Sequence, residues 1–295
     1  MTRVKVIYHI QKAIIITIVF VLAFAFLFPI FIVFTNSFMG AFEIDTRYTH
    51  LIRPGNWLFT QDSAYHFVRL TLIPDFVTLS QYASLLFGHP MYLVRFWNSL
   101  ALTLPILIGQ ILISVPAAYA FEMSRFHLKE GVYLIYIIVM LMPLQVALVP
   151  NFLIADWLGL LDSRLAIILP GIVNPFGVFL MRQFLRNLPR DYIDAAQIDG
   201  AGYLTAFFCV IAPLFKTAVA ALMMLTFVES WNLVEAPRLF LDVSQEPLSV
   251  YLAEMAIQNL YTIFAASLIY LLPCVLMFLF GQEHMVEGIQ LSGIK

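Results

Sequence analysis

The sequence predicts an all-α integral membrane protein with six transmembrane helices. Three observations predict it: the composition, a set of unbroken apolar runs, and the placement of the basic residues. Of the 295 residues, 62% are hydrophobic and only 12% are charged, and the mean hydropathy is +0.90. Soluble globular chains are nearer half apolar and a quarter charged. One water-soluble core of this size cannot bury that excess, so the bilayer must be part of the solvent.

Six apolar runs have the length of membrane-spanning helices. About 20 mostly apolar residues, each rising 1.5 Å, are needed to cross the hydrocarbon core. Strands of a membrane barrel alternate in polarity over segments of about 10 residues, so unbroken runs predict helices instead. The predicted spans are residues 13–34, 98–121, 131–153, 165–181, 210–228 and 255–280.

Basic residues predict that both ends of the chain lie in the cytoplasm. They precede the first span, lie between the second and third, and follow the fourth: Arg3, Lys5, Lys12, Arg125, Lys129, Arg182, Arg186 and Arg190. The short loop between the third and fourth spans carries Asp156 and Asp162, with Arg164 at its edge. The positive-inside rule then places the N-terminus in the cytoplasm, and six spans return the C-terminus there.

These assignments divide the chain into segments. The predicted order is a cytoplasmic tail 1–12, the first helix 13–34, an external loop 35–97, a transmembrane core 98–281 that includes a cytoplasmic loop 182–209, and a cytoplasmic tail 282–295. The external loop is too long for a simple turn and is predicted to pack as a small cap. It contains Arg47, Arg53, Arg69 and Arg95, which argue against this orientation only weakly because long loops count little in the rule.

The first span has a competing interpretation as a cleaved signal peptide. The apolar region of a signal peptide is about 7–15 residues long and is followed by a cleavage site with small residues. The apolar run at 13–34 is longer than that, and no small-x-small site follows Phe34. The sequence therefore favours a retained membrane anchor.

The loop after the fourth span is predicted to form two short helices joined at a corner. Pro189 fits the first turn of a helix, where its missing N–H costs nothing, and Asp191 favours the positive end of the same helix. Gly200 is able to adopt a positive φ angle and end that helix. Ala201 and Gly202 keep the corner slim.

This corner has the composition of a surface that enters a cleft on another protein. Ala195 and Ala196 allow close approach of the backbone, while Asp194 and Asp199 are able to meet basic groups or cap helix ends. The alternative is a structural elbow without a partner, and the residue chemistry alone leaves it open.

The same stretch resembles a known signature. Asp194-Ala-Ala, Gly200 and then Val210-x-Ala212-Pro213 resemble the EAA motif of binding-protein-dependent ABC importer permeases. Two positions depart from the motif, because Asp194 stands in place of Glu and Ala212 in place of Leu. The shorter Asp194 keeps the charge but reduces its reach.

Further segments are similar to the carbohydrate-uptake branch of that family. They are Leu188-Pro-Arg, Ile198-Asp-Gly-Ala201, Ile168-Leu-Pro-Gly171, Phe179-Leu-Met-Arg-Gln-Phe184, Leu72-Ile-Pro74, Thr78-Leu-Ser-Gln-Tyr82, Trp231-Asn232 with Pro237, and the tail from Gln282 to Lys295. The resemblance covers most of residues 71–295, whereas residues 41–70 have no recognised counterpart.

The resemblance implies a permease subunit of a bacterial inner-membrane importer. It implies separate ATPase subunits that hold ATP and Mg²⁺, a second and non-identical permease subunit, and an extracytoplasmic solute-binding protein. This chain has no G-x-x-x-x-G-K-[ST] loop of its own, so no cofactor and no catalytic residue are expected in it. The residues implied to couple it to the ATPase are Asp194, Ala195, Ala196, Asp199, Gly200 and Ala201.

Polar residues of the core that are able to face a central path are the candidate substrate contacts. Sugars need donors and acceptors that match hydroxyl groups, together with aromatic faces. The candidates are Gln145, Asn151, Asn174, Glu229, Trp231 and Asn232. Two alternatives stay open: Asn174 caps the backbone beside Pro175, and Glu229 lies at the membrane interface.

Two other classes of protein are disfavoured. An ion-coupled secondary transporter of a small polar solute, the main alternative, usually carries paired acidic residues within its spans and an internal repeat; neither is evident here. A membrane enzyme needs convergent catalytic side chains, but the six histidines are scattered without metal-ligand spacing. No metal site is predicted.

Overall fold

All regular secondary structure in the described part of the chain is helical. The computed structural model describes residues 2–48, 72–88, 90–123, 127–188, 191–258 and 260–293. The α-helices are α1 Thr2–Asn36, α2 Ala41–Tyr48, α3 Ser80–Ala83, α4 Pro90–Met123, α5 Lys129–Met140, α6 Leu144–Trp157, α7 Leu165–Ile172, α8 Pro175–Arg186, α9 Asp191–Ile198, α10 Tyr203–Ala206, α11 Ala212–Leu214, α12 Lys216–Trp231, α13 Glu235–Phe240, α14 Leu248–Gln258 and α15 Leu260–Gly293. Two π-helical turns, Ser84–Gly88 and Phe207–Ile211, and a 3₁₀ turn, Val243–Gln245, complete the set.

Four helices are long and apolar enough to cross a membrane by themselves. They are Tyr8–Asn36, Pro90–Glu122, Leu165–Arg186 and Tyr261–Gln282. Two further helix pairs have the required composition but are sharply bent, namely Lys129–Met140 with Leu144–Trp157 and Tyr203–Leu214 with Lys216–Trp231. The predicted all-helical membrane fold is therefore confirmed, and the count is six only if each bent pair is one span.

The predicted span at 131–153 is not one continuous helix. The chain turns by 102° between α5 and α6. Pro143 has φ −58° and ψ 140° and stands just before α6. A proline disfavours helical geometry in the residue before it and lacks the N–H that would continue the ladder. The apolar run thus has the composition of one span but the backbone of two helices.

The predicted span at 210–228 is also interrupted. The helical axis turns by 69° at Phe215, between α11 and α12. Pro213 removes a helical hydrogen bond, and in a regular helix its ring would clash with the carbonyl of Cys209. The π-helical turn Phe207–Ile211 lies just before Pro213 and accommodates the lost hydrogen bond and the proline ring.

The described residues form two compact units. The first consists of the described residues within the ranges 1–90 and 252–270. Its centre is Gln81, whose Nε2 donates to the carbonyl oxygens of Asn36 and Met39 at 2.7 and 2.9 Å and whose Oε1 accepts from the N–H of Ala265 at 3.4 Å. Residues 49–71, which hold most of the stretch without a recognised counterpart and also Arg53 and Arg69, lie outside the described residues.

The second unit comprises residues 91–251 and 271–295. One apolar cluster joins α4, α8, α9, α12 and the π-helical turn before α11, and another joins α4, α6, α7 and α13. The loop after α8 and helices α4 to α8, α12 and α13 belong to this unit.

Candidate functional site

The loop after α8 folds as the predicted two-helix corner, and we call residues 191–208 the elbow. Helix α9 ends at Ile198, and Gly200 has φ +84°, as expected. The N–H of Gly200 donates to the carbonyl of Gln197 at 3.0 Å, and that of Ala201 donates to the carbonyl of Ala196 at 2.9 Å. This pair of bonds is a Schellman motif, which satisfies the last carbonyls of the helix locally. Pro189 and Arg190 lie outside the described residues.

The inner side of the elbow packs on the unit's own core. Ile193 and Ala196 are buried, and Ile193 belongs to a cluster with Leu185, Phe207 and Ile211. The structure therefore places Ala196 away from solvent, on the opposite side from the exposed Asp194, Ala195 and Asp199. The elbow is anchored by its inner face while its outer face is free to meet another molecule.

The outer side of the elbow exposes large apolar side chains that the sequence analysis did not select. Ile198 is 86% exposed, and Tyr192, Tyr203, Leu204 and Phe208 are also exposed. The signal in the sequence was an apolar residue directly before the Asp-Gly helix end, in a loop predicted to lie in the cytoplasm. An exposed apolar group of this kind marks a surface for association.

A buried cation lies shortly before the elbow in the chain. The Arg182 side chain, on α8, is only 4% exposed. Its Nε lies 3.3 Å from Oε2 of Glu122 on α4, and its NH2 group lies 2.7 Å from Oε1 of Glu130 on α5. The guanidinium also lies 3.8 Å from the ring centroid of Tyr133. Arg182, which was not predicted to have this structural role, links three helices.

A cavity of about 680 Å³ lies within the same unit, walled by α4 to α8, α12 and α13. Most of its lining is apolar, with side chains such as Ile106, Leu148 and Phe240. The polar lining residues are few: Gln110, Tyr136, Asn151, Asn174, Thr226, Glu229 and Ser230. A mostly apolar wall with a few convergent polar groups is typical of a small-molecule site.

Three of the predicted path residues line this cavity. They are Asn151, Asn174 and Glu229. Asn174 Nδ2 donates to Glu229 Oε1 at 3.5 Å, and Asn174 Oδ1 accepts from the N–H of Phe176 at 3.0 Å. Asn174 thus caps α8, as the alternative interpretation held, and also contacts Glu229.

The other three predicted path residues are not among the lining residues. Gln145 donates to Glu235 at 3.4 Å, and Asn232 Nδ2 donates to the carbonyl of Val228 at 2.7 Å. Trp231 is fully buried and stacks on Phe227 with the ring centroids 5.4 Å apart. Its aromatic face therefore serves packing in this structure.

Four polar cavity residues were not predicted from the sequence, namely Gln110, Tyr136, Thr226 and Ser230, and two of them form a pair. Thr226 Oγ1 donates to Gln110 Oε1 at 2.5 Å, and both side chains are buried. The Nε2 group of Gln110 is buried without a hydrogen-bond partner in the described structure. Gln110 and Thr226 are 116 residues apart in the chain, so no local sequence pattern predicts their contact.

The charge distribution of the cavity is simple. Glu229 is the one charged residue among those described as lining it, and no lysine, arginine or histidine is among them. Nor do the described residues contain a group of three or more His, Cys, Asp or Glu side chains that could hold a metal ion. The cavity therefore offers hydrogen bonds and one carboxylate.

Comparisons with known proteins agree on one family. The family described as "Binding-protein-dependent transport system inner membrane component" matches residues 92–284. The arabinooligosaccharides transport system permease protein AraQ of Bacillus subtilis is 30% identical over 279 residues, covering 93% of this chain and 92% of that protein. The lactose transport system permease protein LacG of Rhizobium radiobacter is 30% identical, covering 68% of this chain and 74% of its own.

One more permease and one solved structure are also similar to this chain. The sn-glycerol-3-phosphate transport system permease protein UgpE of Yersinia pestis is 32% identical over 65% of this chain and 70% of its own. Among solved structures, a chain of a bacterial ABC transporter involved in the import of the acidic polysaccharide alginate superposes with a TM-score of 0.75. That match is 22% identical and covers 95% of this chain and 96% of that one. The last likeness concerns the fold alone.

Proposed function

This chain belongs to the family of binding-protein-dependent transport system inner membrane components, as a permease subunit of an ATP-driven importer, and we propose that its solute is a sugar or oligosaccharide. An extracytoplasmic solute-binding protein delivers that solute. The observation that carries the proposal is the cavity, in which amide, hydroxyl and carboxylate groups stand in an apolar wall. Relatives named for arabinooligosaccharide and lactose transport support it.

The elbow is the proposed contact with separate ATPase subunits, which bind ATP and Mg²⁺. Its exposed residues Asp194, Ala195, Asp199 and Gly200 form the docking face together with the half-buried Ala201, and we add Ile198 to them. An isoleucine that is 86% exposed gains free energy when a partner cleft covers it, at about 25 cal/mol per Å². Ala196 contributes from the inner side, by seating α9 on the core.

The packing supports a route by which movement of the elbow reaches the cavity. Ile193 joins α9 to the cluster that contains Leu185 of α8. Arg182 joins α8 to α4 and α5 through its two ion pairs. Those helices carry Gln110 and Tyr136, and Asn174 caps α8. Displacing the elbow therefore moves several cavity walls together, which gives the ATPase a way to favour one state over the other.

The arrangement in the membrane follows from the same proposal. Both termini lie in the cytoplasm of the bacterial cell, and each bent helix pair counts as one span, so that six spans cross the inner membrane. A second, non-identical permease subunit completes the path. The residues that line the path are Asn151, Asn174 and Glu229. Supporting roles fall to Gln145, Trp231 and Asn232, which are not among the cavity-lining residues.

Uptake by the assembled transporter tests the sugar proposal. We expect membrane vesicles containing this chain, its partner permease, the ATPase subunits and the binding protein to accumulate labelled lactose or arabinooligosaccharides when ATP is supplied. Accumulation that persists without ATP and is abolished by an uncoupler of ion gradients would establish the ion-coupled alternative. ATP-dependent accumulation of non-sugar solutes only would overturn the sugar assignment.

The docking face is tested by Ile198→Asp. We expect this variant to lose co-purification of the ATPase subunit while its insertion and thermal unfolding are unchanged, because the side chain touches little within the chain. Val243→Asp is the matched control, since Val243 is an exposed apolar residue outside the elbow. Equal co-purification of the ATPase with both variants would reject the elbow as the contact.

A further inference from the structure

We propose that the cavity discriminates against anionic solutes and that Glu229 sets this selectivity. The inference rests on the proposed function, in that it takes the cavity as the solute path. Membership of the family leaves the charge of the solute open, because one relative is named for lactose and another for a phosphate ester. The lining residues of this chain address that question.

The first support is the charge of the lining. Glu229 is the one charged side chain among the described lining residues, and none of them is a cation. A carboxylate or phosphate group entering an apolar cavity loses hydration, and that loss is offset only by a paired cation. Here the solute would meet a carboxylate of its own sign, which repels it.

The second support is the hydrogen-bonding capacity that remains for a neutral solute. An ionised carboxylate has about four acceptor sites, and the hydrogen bond that the described residues give Glu229 is the one from Asn174 to Oε1 at 3.5 Å. Hydroxyl groups of a solute are able to donate to the remaining acceptor sites. A neutral polyol therefore matches what this carboxylate leaves unsatisfied.

The experiment measures the field of Glu229 directly, without needing to know the solute. Cys209 and Cys274 are replaced by alanine, and Asn151→Cys places one thiol in the cavity of the complete purified transporter in lipid nanodiscs. Its labelling rates are measured with matched methanethiosulfonate reagents that carry a sulfonate, a trimethylammonium or an uncharged group. The readout is the ratio of the anionic to the cationic rate, normalised to that of a free thiol.

We expect the sulfonate reagent to be disfavoured, and Glu229→Gln to raise the normalised ratio by about three- to tenfold, the size expected for one nearby charge in a medium less polar than water. Glu229→Lys should raise it further. The matched control retains the native, exposed Cys209 as the only thiol; there the same substitutions should leave the ratio unchanged.

Four results would each contradict one of the two proposals. A ratio at position 151 that does not respond to Glu229→Gln overturns the assignment of selectivity to Glu229. Failure of all three reagents to reach position 151 shows a cavity closed to solutes and overturns it as well. Uptake separates the two proposals: import of an anionic sugar by the unaltered transporter refutes this inference but keeps the sugar importer. An absence of sugar import beside a charge-dependent labelling ratio refutes the sugar importer alone.

Discussion

The elbow and the cavity are built in opposite ways. The elbow satisfies its backbone within a few residues, through the Schellman bonds around Gly200, and it exposes apolar side chains such as Ile198. The cavity pairs polar groups that are far apart in the chain, such as Gln110 with Thr226, inside an apolar wall. Local chemistry therefore defines the region that meets a partner, whereas long-range packing defines the region proposed to meet the solute.

This difference predicts where a substitution acts. A change on the outer face of the elbow should alter association or coupling and leave folding intact, because the affected side chains have few contacts. A change in the cavity wall should alter stability and solute handling together.

Gly200→Asp should abolish coupled uptake. At φ +84° a residue with a Cβ atom costs roughly 1–2 kcal/mol, and the added side chain stands on the surface proposed to approach the ATPase. No atom of the described residues lies within 4 Å of the position that a Cβ would occupy, so insertion should be normal. We expect uptake to fall at least about tenfold, which corresponds to roughly 1.4 kcal/mol or more.

Two matched variants separate the causes. Asparagine tolerates a positive φ, so Gly200→Asn reports on close approach with little backbone strain. Gly202 has φ −71° and equally open surroundings, so Gly202→Ala should keep most of the uptake. Normal uptake and normal ATPase co-purification in Gly200→Asp would show that the elbow is not the coupling element.

Arg182→Met should produce the largest loss of stability. It removes a side chain that is 4% exposed, with two ion pairs and a ring contact, and leaves Glu122 without this partner. Breaking a buried pair from one side typically costs about 3–5 kcal/mol, so the unfolding temperature in detergent should drop clearly. Glu130→Gln is the control with a small effect, because the Glu130 side chain is 67% exposed. Equal effects of the two substitutions would show that Arg182 does not join the three helices.

Gly177→Ala tests how closely the wall of the cavity is packed. A Cβ at this position on α8 would lie 2.3 Å from Ser114 Oγ and 3.0 Å from Gln110 Nε2, both on α4. Overpacking of this kind costs about 1–3 kcal/mol. We expect a lower unfolding temperature that Ser114→Ala partly restores in the double variant, because the nearest atom is then gone. Additive losses in that double-mutant cycle would contradict the close approach of α4 and α8.

The features that were predictable from the amino-acid sequence follow the same division. Gly200 and the helix end at Ile198 were predictable because a helix stop is local chemistry. The bend at Pro143 was not predictable, because a proline indicates that a helix is interrupted but does not give the angle between the two parts. Trp231 was predicted to face the path, but burial against Phe227 governs its position. Ile198 was passed over because an apolar residue is by default assigned to the core. The Gln110–Thr226 pair requires the packed structure itself.

Thr226→Val should have a moderate effect on stability and a clear meaning for the cavity. The substitution keeps the shape but leaves the buried Gln110 Oε1 without its donor, at a cost of about 1–3 kcal/mol. Replacing both partners, as in Gln110→Leu with Thr226→Val, can be nearly neutral for stability because no polar group is then left unpaired. Measured together, the two variants separate the structural role of the pair from its role toward the solute.

Uptake by that stable double variant then decides what Gln110 does. If the Gln110–Thr226 pair serves the solute, the double variant should unfold at nearly the unaltered temperature yet show a raised KM for uptake. An unchanged KM would mean that the pair serves only to join α4 to α12. The cavity wall would then resemble the inner face of the elbow, where Ile193 and Ala196 serve packing, and the contrast between the two regions would be confined to their exposed surfaces.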